Sequence, residues 1–162
     1  MSFRVLGIDP GTAVTGFGVV EPAPDRVGRL IECGVIRTKS RDPLATRLSV
    51  LHDGVSELIR RHEPSVLALE SLFYAKNVRT TVTLGHARGV ILLAAGQAEI
   101  EVAEFPPATV KKCIVGRGGA AKAQVSYMVQ RLLNLASEPS PSDASDGIAL
   151  ALTYLVTRRR CA

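Results

Sequence analysis

"VLGIDPGTAVTGFGVV", residues 5–20, decides the fold of this chain. An apolar run ends in one carboxylate, Asp9; a Pro10-Gly11-Thr12 turn follows, and a second apolar run returns from Val14 to Val20. Pro presets φ and Gly permits unusual backbone, so the pair reads as a tight turn between two strands. Phe3 to Asp9 is then a buried strand and Val14 to Val20 its return partner. Gly16 and Gly18 mark places where another backbone comes close. Asp9 has two readings at this point: a side chain capping its own turn, or a ligand set at the end of a strand.

The chain downstream extends this start into a sheet. Pro22, Pro24 and Asp25 form a loop, and Leu30 to Thr38 is a third strand, giving an antiparallel meander. Asp42-Pro43 reads as a helix start, with Asp as N-cap and Pro in the first turn. Leu44, Leu48, Leu51, Val55, Leu58 and Ile59 recur at spacings of three and four, which makes one apolar helical face ending before Pro64. "SVLALE" (65–70) is a short, fully apolar strand of the kind buried in parallel pairing. A polar loop follows, then a helix from about Thr81 to Gln97, in which Gly85, Ala87, Gly89, Ala94 and Ala95 form a face that admits a close neighbour. Ile100 to Phe105 is a fifth strand. A short helix bearing Lys111, a glycine loop "GRGG" (116–119), a helix to about Leu135, and a last helix from Ser142 to about Val156 complete the order. Three meander strands and two crossover-connected strands predict an α/β fold, a mixed five-stranded sheet flanked by helices. The length of 162 residues suits a single domain, residues 1–162.

Composition narrows the class. The hydrophobic fraction is 46%, aromatics are 4% and Trp is absent, so the core is aliphatic. "GVILLAAG" (89–96) is the longest apolar run, far short of the roughly 20 residues of a membrane span. No secretory signal is visible, and Cys33, Cys113 and Cys161 are an odd count without metal spacing. A reducing cytoplasm is expected. The net charge of +5 is unevenly spread. Residues 71–98 hold no acid but carry Lys76, Arg79 and Arg88; residues 105–137 hold none but carry Lys111, Lys112, Arg117, Lys122 and Arg131. Such surfaces suit a polyanion.

Four carboxylates stand out against this background. Asp9 and Glu70 each end an apolar strand, where α/β sheets place their sites. Asp143 and Asp146, three apart in "SDASD", share one face of a helix start. Singly each has an ordinary explanation: a turn cap, a strand reaching water, acids favoured in a first helical turn. Brought together they would repel unless a cation sat among them. Oxygen donors without a His or Cys constellation select Mg²⁺ or Mn²⁺ over zinc. Two such ions about 4 Å apart suit phosphodiester hydrolysis.

At these residues the chain resembles a known family. "LGIDPGTAVTGFGVV", "LALESLFYAKN", "LGHARGVILLAA", "VKKCIVGRGGAAKAQV" and "SDASDGIALALT" are similar, in order and spacing, to the successive motifs of the RuvC-type Holliday junction resolvases, from Val5 to about Tyr154. The resemblance implies a ribonuclease-H-like fold and a metal-dependent endodeoxyribonuclease. It implies symmetric paired nicking of a four-way junction in recombination and repair, by a homodimer served by a branch-migration helicase complex of the RuvA and RuvB type. It matches Asp9, Glu70, Asp143 and Asp146 to the catalytic metal-binding carboxylates, with Mg²⁺ or Mn²⁺, two ions per site. Some members carry His where Asp143 stands. It matches Phe73 to an aromatic set against bases near the junction centre, and Lys111 and Lys122 to basic residues near the cleaved strand. Lys76 and Arg79 are candidate phosphate contacts, and the helix containing "LGHARGVILLAA" resembles the family's dimer interface.

Three alternatives compete. A sugar-kinase or actin-like ATPase shares the "GIDPGT" hairpin but needs two such domains, and "GRGGAAK" lacks the Gly-Lys-Ser/Thr of a phosphate loop. A related nuclease acting on ribosomal RNA precursors uses the same fold; Phe73 and the basic loops favour the junction. A junction-binding protein without catalysis has no need of four acids.

Overall fold

The five strands pair in the order β3-β2-β1-β4-β5 in a computed structural model, which describes residues 2–71 and 77–161, the side chains of residues 160 and 161 excepted. β1 (Val5–Asp9), β2 (Val14–Glu21) and β3 (Arg29–Arg37) make the antiparallel meander. β4 (Val66–Glu70) lies parallel to β1, and β5 (Glu101–Phe105) parallel to β4. The mixed sheet expected from the sequence is therefore present. The helices are α1 (Leu44–His62), α2 (Val78–Gln97), α3 (Pro107–Val115), α4 (Lys122–Leu133) and α5 (Ser142–Cys161).

The period-two alternation of a strand sorts the core into two layers. Leu6 and Ile8 of β1 and Leu67 and Leu69 of β4 face α1 and α2, packing with Leu51, Val55, Ala87 and Ile91. Val5, Val66 and Ala68 face the opposite way, against α3, α4 and α5 through Val110, Val129, Ile148 and Leu152. Each such fully buried aliphatic side chain contributes about 1.5–3 kcal/mol. Asp9 and Glu70 follow the parity of Val5 and Val66, so both point to the α5 side.

α5 lies directly on β1 and β2 because glycine faces glycine there. A Cβ on Gly7 would stand 2.0 Å from the Gly147 carbonyl oxygen, and one on Gly16 only 1.8 Å from that of Asp143. A Cβ on Gly147 would lie 2.5 Å from the Phe17 Cα. Backbone thus rests on backbone, and no side-chain rotation could relieve a substitution at these positions.

Several boundaries differ from the sequence reading. Asp42 does not cap α1: Pro43 occupies the N-cap position, with extended ψ and no side-chain cap bond, and the helix begins at Leu44. α2 begins three residues before Thr81, because Asn77 Oδ1 accepts from the backbone N–H groups of Arg79 and Thr80. Its small residues also divide. Ala87, Ala94 and Ala95 are buried on the inner face, whereas a Cβ on Gly89 would meet nothing within 4 Å. α4 stops at Leu133, where Asn134 adopts a left-handed cap. α5 runs on past Val156 to Cys161. Near its end, Arg158 lies 4.0 Å over the Phe3 ring, and Arg159 donates to the carbonyls of Ala23 and Arg26. Among the described residues, no helix is long and apolar enough to cross a membrane.

Candidate active site

Asp9 is not the cap of its own turn. The buried Thr15 fills that role, its hydroxyl donating to Gly11 O at 2.8 Å and accepting from Gly11 N at 3.3 Å. Asp9 is left to point along the α5 face. β1 and β4 run parallel with Ile8 opposite Leu69, so the next residue on each strand, Asp9 and Glu70, are neighbours at the sheet's C-terminal edge. α5, seated on the glycines, brings Asp146 over the same edge. α3 and α4 add Lys111 and Lys122.

Asp9, Glu70, Lys111, Lys122 and Asp146 line one cavity of about 230 Å³, floored by Val110, Val125 and Leu150. Asp143 stands at its rim and joins through Lys122. The Lys122 Nζ lies 3.2 Å from Asp143 Oδ1 and 3.0 Å from Asp146 Oδ2. The structure therefore brings the four predicted carboxylates and two of the three predicted lysines, Lys111 and Lys122, to one edge. Arg79 is exposed on the first turn of α2 and does not line the cavity. Phe73 and Lys76 lie outside the described residues.

The carboxylates carry more negative charge than their surroundings stabilise. Burial pushes Asp9 up to about 8, with Glu70 and Asp146 adding repulsion. Glu70 is raised by burial, against a hydrogen bond with Asp9 that pulls it down. Burial also raises Asp146, against its hydrogen bond to Lys122. Lys122 is raised in turn, chiefly by that same bond. Its ammonium lies between Asp143 and Asp146, and its effect on Asp9 is smaller than those of burial and of the neighbouring acids. Among the described residues no group of three His, Cys, Asp or Glu is already drawn together as a metal site. The donor chemistry nevertheless fits a hard divalent ion. All donors are carboxylate oxygens, two are adjacent and half-buried, and burial raises their affinity for a proton, with repulsion from the neighbouring acids adding to it.

Two supporting residues were not singled out from the sequence. Arg88 belongs to an acid-free stretch that reads as positive surface. Its side chain is only 15% exposed, ion-paired to Glu104, with Nε reaching the Glu70 carbonyl at 3.3 Å, so it braces the ends of β4 and β5. Arg47, in the first turns of α1, reaches back to Thr12 O and to Thr38 Oγ1, tying α1 to the Asp9 turn. Local spacing carries no sign of either contact, since the partners are 9 to 35 residues away.

Known proteins match nearly the whole chain. Residues 5–154 match the family model described as crossover junction endodeoxyribonuclease RuvC. A protein of that name from Pelotomaculum thermopropionicum is 46% identical over 150 residues, 93% of this chain and 91% of the relative. The solved RuvC structure from Thermus thermophilus superposes with a TM-score of 0.88 at 34% identity, covering 98% of this chain and 97% of that one. The T. thermophilus RuvC in complex with a Holliday junction substrate gives 0.87 at 33% identity, over 98% and 96%.

Proposed function

Because the chain belongs to the RuvC family of crossover junction endodeoxyribonucleases, we propose that it resolves Holliday junctions by paired, symmetric nicking of two strands, as one ribonuclease-H-like unit per protomer. The observation that carries this reading is the shared cavity. Asp9 and Glu70 end adjacent parallel strands and meet Asp146, Lys111 and Lys122 in one place.

Asp9, Glu70, Asp143 and Asp146 would hold Mg²⁺ or Mn²⁺, two ions per site. When bound, such ions lower the pKa of an attacking water and stabilise the leaving oxygen of a phosphodiester. The chain's own residues supply the rest. Asp9 is central, being the most strongly perturbed acid and in contact with Glu70. With those carboxylates neutralised by bound ions, Lys122 would be free of Asp143 and Asp146. At the start of α4 it is placed to hold a non-bridging phosphate oxygen. Lys111, across the cavity, holds the strand from the other side. The apolar floor of Val110, Val125 and Leu150 limits bulk water beneath the cut phosphate.

Two equivalent strands require two equivalent sites, which a symmetric dimer provides. The outer stripe of α2 supports this. Val82 is 53% and Leu93 54% exposed, and they flank the open Gly89. Delivery by a branch-migration complex of the RuvA and RuvB type belongs to the same reading.

A divalent-metal series on synthetic four-way junctions and matched duplexes tests the function. Nicking confined to the junction and dependent on the metal is expected, and Asp146→Asn should abolish it. Full activity of Asp146→Asn in Mg²⁺, or equal cutting of plain duplex, would reject the assignment.

A further inference from the structure

Ion-paired arginines mark both ends of the sheet, but among the described residues one cationic segment at the site end has no such partner. At the end where β1 begins and α1 and α5 finish, arginines are engaged: Arg4 and Arg29 with Glu21, Arg60 with Glu57, Arg61 with Glu32. At the opposite end, where Asp9 and Glu70 stand, the last residue of β3 and the segment leading to α1 carry Arg37, Lys39 and Arg41. All three are exposed, and among the described residues none has a carboxylate within ion-pair distance.

This segment is held in place. Thr38 N donates to Ala13 O at 3.0 Å, and Thr38 Oγ1 donates to Thr12 O at 2.6 Å. Arg47 Nε reaches the same Thr38 hydroxyl at 3.2 Å, and a second guanidinium nitrogen reaches Thr12 O. The segment is therefore fastened to the turn that follows Asp9. α1 also starts here uncapped, with no side-chain cap bond and no acid in its first turn. Its free N–H groups add partial positive charge at the same spot. Asp42, the acid in the segment, does not cap the helix; its own N–H donates to Lys39 O.

Three cations on one anchored segment, beside an uncapped helix start, outnumber its single acid, Asp42, and leave a net positive charge there. A polyphosphate backbone neutralises that charge. Residues 37–43 contain no aromatic side chain, so the segment has nothing on which to stack bases. It reads phosphates and no sequence. We propose that the β3–α1 segment is a second phosphate-binding shelf, separate from Lys111 and Lys122, that holds the backbone of a duplex arm leaving the cut site. The proposal rests on the junction-resolving reading above.

The test is equilibrium binding of the full chain to a synthetic four-way junction, in metal-free buffer, between 50 and 200 mM salt. Loss of three phosphate contacts in Arg37→Ala/Lys39→Ala/Arg41→Ala should lower the slope of log K against log salt by about two to three, and weaken binding on the order of 10²-fold at 0.1 M salt. Arg60→Ala, at the far end of the molecule, should leave the slope unchanged. Melting curves check that the triple variant folds; the replaced side chains are exposed and make no ion pair among the described residues. A wild-type chain that shows no junction affinity overturns the junction reading itself. A wild-type chain that binds, with a triple variant of equal slope and affinity, overturns the shelf alone.

Discussion

Gly16→Ala separates placement of the site from its chemistry. The added Cβ would stand 1.8 Å from the Asp143 carbonyl oxygen and 2.6 Å from its carbonyl carbon. Ordinary contact needs about 3.4 Å, so the first turn of α5 must retreat by roughly 1.6 Å or β2 must give way. Both sides of the clash are backbone. Overpacking of this kind costs about 1–3 kcal/mol. For a chain of this length that lowers Tm by about 2–12 °C. The larger effect is on the site, because Asp143 and Asp146 ride on the displaced turn. A displacement of about 1 Å costs on the order of 10²-fold in rate. Single-turnover nicking of a saturating four-way junction, at a temperature well below the lowered Tm, should fall by about that factor. Junction affinity should hold, since the phosphate contacts lie on other elements. Wild-type nicking by Gly16→Ala, with or without a Tm drop, would show that the seating of α5 does not set the site.

Asp9 makes stability depend on pH in an unusual direction. Its folded pKa of about 8 lies above the 3.8 of the free side chain, so the folded state binds the proton more tightly. Its contribution is fully present below about pH 4 and is lost as pH rises through 8, with a limiting slope of about 1.4 kcal/mol per pH unit. In EDTA, Asp9→Asn should therefore raise Tm at pH 8 and change it little at pH 4; a fall in Tm at pH 8 would refute the burial of a repelled carboxylate. Phe73→Ala should slow junction cutting by roughly 5- to 150-fold, the worth of one base stack, with no loss of thermal stability; unchanged cutting counts against a wedge at the junction centre. Leu93→Glu, on the exposed stripe of α2, should give a monomer by size-exclusion chromatography with light scattering. A dimer of unchanged affinity would move the interface elsewhere.

The parts legible in the sequence are those governed by period and position. Asp9 and Glu70 end short apolar strands, and alternation alone puts them on the same face as Val5 and Val66. The parallel pairing of β1 and β4 follows from the unbroken apolar run of "VLALE". Helix starts were less legible, because capping is a competition between neighbours. Asp42 lost to Pro43, whereas Asn77 captured two N–H groups and drew α2 back toward β4. The spacing of Asp143 and Asp146 placed both on one face, yet only Asp146 lines the cavity. That difference is set by where α5 sits, and α5 sits where Gly7, Gly16 and Gly147 leave no Cβ. Lys122 is 21 residues from Asp143, too far for any local pattern to reveal their pairing. The glycines of the opening hairpin therefore do more than turn a chain. By removing side chains between β2 and α5, they let an acidic helix start approach the strand-end acids closely. This makes a site with a surplus of negative charge, which is the condition for holding a divalent ion and for acting on a phosphodiester.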